Sequence, residues 1–442
     1  MCAHSGGLSN FLYYVALPDN LNKVRSFSPT LREGSPEAQE KYDNKALVSK
    51  FLKQSQFSRS NSLNMMEEPK KVLLRIYGQV HGERAMDAIV TESVIFTLLS
   101  ERRLGPKLHG VFSGGRIEEY IPARPLLTKE LSEPALSMKI AEKMAAIHSM
   151  DVPLSKEPNW IWKTMHKWLK TVREERLAPH NTASAKASNT DEEQIIKRLK
   201  SVDFDKEIDW LKKYIATVDS PVVFCHNDMQ EGNILLLEDV TQNASEDDVT
   251  YVEAEEQPNR EHKYVEPLSQ YDDANTSDSI SSRISDSGEP KLVLIDFEYC
   301  AYNYRGFDIA NHFQEWGYDY TNPEHPFYFE NQENCPSLEQ KEIFIKEYLK
   351  HYLSNVSDDK EIDLTPTIED INHLLCEVET FALVSHLFWC LWSIVNASKS
   401  QIPFGYWEYA VSRLETYFRL KQEVVKEKVG FPQKRKICEV DI

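Results

Sequence analysis

No Cys-x-x-Cys pair occurs in these 442 residues, and the seven cysteines, from Cys2 through Cys225, Cys300, Cys335, Cys376 and Cys390 to Cys438, are odd in number and scattered. Zinc modules and disulfide frameworks both need closely spaced sets, so neither is expected; free thiols in a reducing compartment, the cytoplasm, are. Basic charge is also in deficit: 51 Lys and Arg stand against 70 Asp and Glu, a formal net charge of −19. That excludes a general nucleic-acid binder and a polybasic membrane-surface protein, which need clustered positive charge. No apolar run is long enough to span a bilayer. The most apolar stretch, Phe381 to Val395, is interrupted by Ser385, His386 and Ser393 and reads as a buried helix. The start, MCAHSGGLSN, lacks a basic region followed by an apolar run, so no secretory leader is expected. Asn-x-Ser matches at Asn243, Asn355 and Asn396 are then chance. No internal repeat is visible.

What is present fits a soluble globular enzyme of one large domain or two lobes: 41% apolar, 27% charged and 11% aromatic residues. Two segments stand apart. Val24 to Lys71 is rich in Ser and charge, apart from a short helical pattern at Ala46 to Leu52. Glu238 to Pro290 carries 15 acidic residues against 3 basic ones and ends in a Ser/Asp-rich run. Neither has enough apolar surface to offset the entropy of ordering, so both are expected to be disordered inserts, and most of the net charge sits in the second.

Between them the patterning predicts strands at Phe11–Leu17 and Val72–Tyr77, a helix over Ala85–Arg102 ended by Gly105-Pro106, and a hairpin of Leu108–Phe112 with Arg116–Ile121 across Ser113-Gly-Gly115. Helices follow at Ala135–Met150, Ile161–Glu175, Glu192–Val218, Leu338–Leu353, Ile368–Ala397 and Tyr406–Lys428, interrupted by strands at Val222–Cys225, Ile234–Leu237 and Lys291–Ile295. The fold class is α+β. A small antiparallel N-terminal lobe (residues 1–122) precedes a larger helical lobe (residues 123–442), with a cleft at the join and Pro122 as a hinge.

The chemistry concentrates in His226-Asn227-Asp228-Met-Gln-Glu-Gly-Asn233 and Ile295-Asp296-Phe297-Glu298. An H-x-D-x4-N loop after one strand, with a second strand ending in D-F, is the carboxylate arrangement of kinase-type phosphoryl transfer. A hydroxyl nucleophile needs a carboxylate to accept its proton, and magnesium, a hard ion, needs oxygen ligands beside the phosphates. Asp228 is therefore read as the base, Asn233 and Asp296 as metal ligands, and His226 as a structural support of the loop. Any one of these alone is more often a turn or cap residue; all four types at these spacings favour function.

Other signals are weaker one by one. Ser5-Gly6-Gly7-Leu8-Ser9-Asn10 before a strand lets backbone N–H groups approach phosphate oxygens, although Gly-Gly alone is more often a plain turn. Arg75, mid-strand in an apolar run, is either an exposed outer-face residue or a charge paired with Glu92 of the next helix and aimed at a nucleotide. Glu119, at the end of the hairpin, fits an adenine contact and a solvated side chain equally well. Trp389 and Trp392 share a helix face, and Phe404, Tyr406, Trp407 and Tyr409 follow Ile402-Pro403. Glu315, Trp316 and Tyr320 are read at the end of a helix that starts near Gly306. A helical Trp pair is usually core. Aromatics mixed with an acidic residue near a catalytic loop instead suit a cage for an organic cation, each ring contributing about 0.5–2 kcal/mol. A primary ammonium prefers hydrogen-bond acceptors, so a wall this aromatic leans toward a quaternary ammonium.

Taken together, VVFCHNDMQEGNILLL, LVLIDFEYCAYNYRGFDIANHFQEW, VLLRIYG, LGPKLHGVF and SGGLSN resemble the choline/ethanolamine kinase family, nearer its choline kinase branch. The resemblance spans nearly all the chain outside the two inserts and the basic tail at Lys434–Lys436. It implies a two-lobed protein-kinase-like fold, ATP as co-substrate, Mg2+ as cofactor, a homodimer, and phosphorylation of choline to phosphocholine, the first step of phosphatidylcholine synthesis. It implies the catalytic role for Asp228, metal binding for Asn233 and Asp296 with Glu298 nearby, and ATP contacts for Ser5 to Ser9, Arg75, Glu119, Gln230 and Asp296. Glu315, Tyr320, Trp389, Trp392, Phe404 and Tyr409 match the choline pocket. Family members carry a helical segment and most of a first strand before the glycine loop, whereas only Met1 to His4 precede Ser5 here, so a frayed loop edge is expected. The alternatives are an ethanolamine kinase and a short, weakly active partner of a full-length kinase. A protein kinase is disfavoured, since no DFG and no APE-like segment is present.

Overall fold

Runs of β-branched, aromatic and aliphatic side chains commit Asn10–Ala16 (β2) and Lys71–Tyr77 (β3) to paired strands. The computed structural model describes residues 2–4, 10–16, 69–77, 83–112, 114–174, 189–237, 290–356, 365–400 and 402–430. The glycine loop Ser5–Ser9, nearly all of both expected inserts and the basic tail lie outside the described residues. Lys71, placed in the first insert by sequence, is instead the first residue of β3.

Five antiparallel strands form the N-terminal sheet in the order β1-β2-β3-β5-β4, with β1 at Cys2–His4, β4 at Leu108–Phe112 and β5 at Gly115–Glu119. The edge beside the glycine loop is a three-residue strand, with Cys2 opposite Tyr14 and His4 opposite Leu12. Helix α1 (Glu83–Glu101) supplies Ile95, Phe96 and Leu99 to the core behind this sheet. Ala123–Pro125 (β6), unseen in the sequence pattern, pairs with β8 (Ile234–Leu237), which pairs with β9 (Leu292–Leu294).

The remainder is mainly helical: α2 (Pro134–His148), α3 (Trp160–Glu174), α4 (Asn189–Lys200), α5 (Phe204–Ile215), α6 (Arg305–Glu315), α7 (Leu338–Val356), α8 (Ile368–Lys399) and α9 (Tyr406–Gly430). The single helix expected over Glu192–Val218 is two, because Asp203 starts a new one by accepting a hydrogen bond from the Lys206 amide at 3.2 Å. The expected strand Val222–Cys225 (β7) pairs with a strand the sequence pattern missed, β10 (Ala301–Tyr304), which turns directly into α6.

Helix α8 is the axis of this part and packs against α3, α5, α6, α7 and α9. Thr367 and Asp370 cap its start reciprocally, the Thr367 hydroxyl accepting from the Asp370 amide and the Asp370 carboxylate from the Thr367 amide. Among the described residues it is the one helix long and apolar enough to cross a membrane, and 89% of its most apolar window is buried inside the fold. It runs well beyond Phe381–Val395 at both ends, and its hydrophobicity serves the core. Small sheet and large helical part together give the two-lobed, protein-kinase-like α+β fold.

Candidate active site

The loop after β7 is held from behind by one buried carboxylate. Asp308, in the first turn of α6, accepts hydrogen bonds from the His226 amide (2.9 Å) and the Asn227 amide (2.8 Å). His148 Nε2 lies 3.0 Å from the same carboxylate, and all four groups are buried. Burial opposes ionisation of Asp308, yet the hydrogen bond and electrostatic attraction from His148, with the bond from the His226 amide, outweigh it and hold the carboxyl below its usual range. Asn227 sits at φ 66°, a left-handed conformation stabilised by its side chain, which donates to the Tyr299 carbonyl and accepts from Asn303.

His226 faces the other way. Its Nε2–H donates to the Ile295 carbonyl at 3.0 Å, and its Nδ1 accepts from the Asp228 amide at 3.3 Å. Burial lowers its pKa, so the ring is a neutral strut between the two strands that carry the site.

Asn233 and Asp296 stand at adjacent strand ends, because the Ile295 amide bonds the Asn233 carbonyl at 3.0 Å just beyond the β8–β9 ladder. Asn233 Nδ2 donates to the Asp228 carbonyl and to Asp228 Oδ2. Its amide oxygen is thereby left as the side chain's remaining acceptor. Asp296 also adopts a left-handed backbone, φ 62°. Among the described residues its Oδ1 is buried without a hydrogen-bond partner, 3.9 Å from Arg75 Nη1. The carboxylate and the amide oxygen at paired strand ends, with Glu298 near enough to Asp228 for its charge to act there, are oxygen donors of the kind a hard divalent cation takes. Burial raises the pKa of Asp228 well above its ordinary value, and the charges of Glu315, Asp296 and Glu298 push it further, against the bond from Asn233.

On the sheet side, the expected Arg75–Glu92 pair does not form. The β3–β5 register sets Arg75 directly opposite Arg116, two like charges that need an anion between them. Glu118, on the same face, supplies it: its Oε1 accepts from Arg75 Nε at 2.8 Å and from Arg116 Nε at 2.6 Å. Glu92 instead takes Arg116 Nη1 at 2.6 Å, and the Arg116 guanidinium lies 4.2 Å from the Phe96 ring. Arg75 and Arg116 are both buried. Glu119 is buried too, and its Oε2 accepts from the Lys107 amide at 3.0 Å. Gln230 uses its Oε1 to cap the short turn before Asn233, accepting from the Gly232 amide.

The aromatic cluster gathers below the catalytic loop. Tyr320 lies beyond the short strand β11 (Tyr318–Asp319) and not on α6, and its hydroxyl donates to Glu315 Oε2 at 2.7 Å and meets the Tyr409 hydroxyl at 3.0 Å. Phe404 packs against Tyr320, Tyr409 and Tyr406, and Tyr406 against Trp392. Trp392 and Trp389 meet at 5.5 Å between centroids. Their indole N–H groups are fixed differently, Trp392 on the Tyr299 hydroxyl and Trp389 on Asn311 Oδ1. Trp316, grouped with this wall by sequence, is core: it is buried against Phe313 and donates to His312. Tyr299, Asp308, Arg116, Arg413 and Glu231 escaped the sequence reading. The signal for Asp308 and Arg413 was a charge inside an apolar helical face, Phe307-Asp308-Ile309-Ala310 and Ala410–Leu414.

A loop carboxylate, oxygen donors on paired strands, a buried arginine beside them and an aromatic-acidic cluster fit a small-molecule phosphotransferase of the protein-kinase-like fold. The family model for choline/ethanolamine kinase matches residues 2–418. A human protein named choline/ethanolamine kinase is 38% identical over 420 residues, covering 95% of this chain and 80% of its own length. Mouse choline kinase alpha is 40% identical over 436 residues, at 95% and 75% coverage. A solved Cryptosporidium parvum choline kinase aligns with a TM-score of 0.52 and 25% identity, covering 82% of this chain and 85% of its own. The chain belongs to the choline/ethanolamine kinase family.

Proposed function

We propose that this chain transfers the γ-phosphate of ATP to the hydroxyl of choline, with Asp228 as the base. The observation that carries the reading is the position of Asp228. It is tied to Asn233 on one side and close enough to Asp296, Glu298 and Glu315 on the other for their charges to raise its pKa. A carboxylate placed between the metal-binding strands and the cation chamber is suited to orient a hydroxyl whose other end is the cation.

Asn233, Asp296 and Glu298 would hold Mg2+, which when bound offsets charge on the phosphates. Arg75, buried on Glu118 and facing Asp296, offers its guanidinium to the same phosphates. Glu315 and the rings of Tyr320, Tyr409, Phe404, Trp392 and Trp389 would hold the trimethylammonium group, since ring faces attract a cation that cannot donate hydrogen bonds. The Ser5–Ser9 loop, Glu119 and Gln230 complete the ATP side in this reading, with Glu119 and Gln230 acting through the backbone they fix. The lobe boundary at residues 122 and 123, a homodimer and a cytoplasmic setting belong to the same proposal.

ADP release measured with choline, ethanolamine and no acceptor tests it. Choline-dependent turnover with the higher kcat/KM for choline is expected. A clear ethanolamine preference would overturn the quaternary-ammonium reading, and acceptor-independent ADP release alone would overturn choline as substrate.

A further inference from the structure

What holds the acidic side of the chamber comes from α9. Arg413 is fully buried, and its Nη2 donates both to Glu315 Oε1 and to the Tyr409 hydroxyl. The guanidinium lies over the ring of Tyr318 at 4.0 Å and of Tyr409 at 4.9 Å. With the Tyr320 hydroxyl on Glu315 Oε2 and against Tyr409, the four side chains close a circuit. Both oxygens of Glu315 are engaged, and a permanent cation of equal charge stands against it.

That circuit changes what Glu315 can do. A free buried carboxylate would serve a primary ammonium well, through short charge-assisted hydrogen bonds. A carboxylate already filled by an arginine and a phenol has weaker acceptors left and contributes less net field. A quaternary ammonium gives up little by this, because it draws on ring faces and not on lone pairs. It gains from the rings being fixed, and Arg413 fixes Tyr409, directly by hydrogen bond and stacking and indirectly through Tyr318, whose ring packs against that of Tyr409. Arg413 also keeps capacity in reserve: among the described residues its Nε and Nη1 donate no hydrogen bond. A buried guanidinium this incompletely bonded is a poor stabiliser of a core compared with an apolar side chain of similar volume.

We propose that Arg413 is a positioning residue, acting through Glu315 and Tyr409, that sets the acceptor pocket's preference for a quaternary over a primary ammonium. The proposal rests on the reading of this chamber as the acceptor site. Its test is cation binding, so failure of that reading would appear separately, as absent choline-dependent ADP release by the unaltered chain.

The probes are tetramethylammonium and methylammonium chloride, titrated against tryptophan fluorescence of the full chain, with far-UV circular dichroism confirming the fold. Arg413→Met is expected to weaken tetramethylammonium binding about tenfold while changing methylammonium less than about threefold. In a Glu315→Gln background the same substitution is expected to change tetramethylammonium binding less than about fivefold, because one of the two residues it acts through has been altered. Equal losses for the two cations, or equal losses in the two backgrounds, would show an inert core ion pair and overturn the proposal. Should Arg413→Met fail to fold, Arg413→Lys carries the test. It keeps the charge but loses the planar, ring-stacked fork, and is expected to lower the tetramethylammonium-to-methylammonium selectivity at least about threefold. An unchanged selectivity would overturn the assignment.

Discussion

Asn233 donates from one amide nitrogen to two oxygens of the same residue, the carbonyl of Asp228 at 2.8 Å and its carboxylate at 2.9 Å. In the proposed mechanism the base and the metal-binding amide are therefore one unit, since the bond that orients Asp228 also orients the Asn233 oxygen. Removing the carboxylate's charge while keeping its shape separates catalysis from binding. Asp228→Asn is expected to lower kcat about 10²–10⁴-fold, the range for a lost general base, with a much smaller effect on the KM for choline. Steady-state kinetics check this, and near-normal kcat would remove Asp228 from the role of base.

Arg116 gives the second expectation. It is fully buried, bridges Glu92 and Glu118, and lies against Phe96, whereas Arg75 shares only Glu118 and faces Asp296. The two arginines have different work despite sitting opposite each other. Arg116→Met leaves two carboxylates short of a partner and is expected to destabilise the fold by about 3–5 kcal/mol. Arg75→Met is expected to raise the KM for ATP at least about tenfold, with a smaller loss in denaturation midpoint. Urea unfolding and ATP kinetics on both variants separate the roles; matching effects in both assays would reject the distinction.

These two arginines also show what the sequence could and could not yield. The loop His226–Asn233 and the strand end Ile295–Glu298 were legible because their chemistry lies in short spacings, and the long helices because their apolar periodicity is strong. Arg75 was legible as a charge needing a partner. Its partner was not, because the choice between Glu92 and Glu118 depends on the register that sets Arg75 opposite Arg116. Asp308 and Arg413 lie 82 and 98 residues from the groups they hold, His226 and Glu315, so only the folded chain brings them together. Trp316 failed for a related reason. Adjacency to Glu315 suggested the cation wall, but the helix turns it toward His312 and Phe313.

Asp308 supplies the pH dependence. Its carboxyl is held below the ordinary 3.8, so the folded chain releases this proton at a lower pH than the unfolded chain. Its contribution to stability is complete above the unfolded value and is lost as pH falls through the lower, folded one. Asp308→Asn, which keeps an acceptor but loses the charge, is expected to cost about 2–4 kcal/mol at pH 7. The difference between the two proteins should shrink once the pH is taken below about 4. Urea midpoints at pH 7, 5 and 3.5 read it directly, and a difference that stays constant across the series would reject the linkage.

Gly105 reaches the active site through a ring. A Cβ there would lie 2.7 Å from Phe297 Cε2 and 2.8 Å from its Cζ. Phe297 is 1% exposed, wedged between Phe96 at 6.0 Å and His226 at 5.6 Å, so it has no solvent side into which to retreat. Its backbone neighbour is Asp296, already in a left-handed conformation, and any displacement of the ring passes to that carboxylate. Gly105→Ala is expected to destabilise by about 1–3 kcal/mol through overpacking. It should also lower kcat about ten- to a hundredfold, because a reacting geometry tolerates less than an ångström of error. Combining it with Phe297→Leu, which removes the atoms the new methyl would meet, should recover part of both losses. Recovery of stability without recovery of kcat would mean that the ring itself, beyond its position, is needed to hold Asp296.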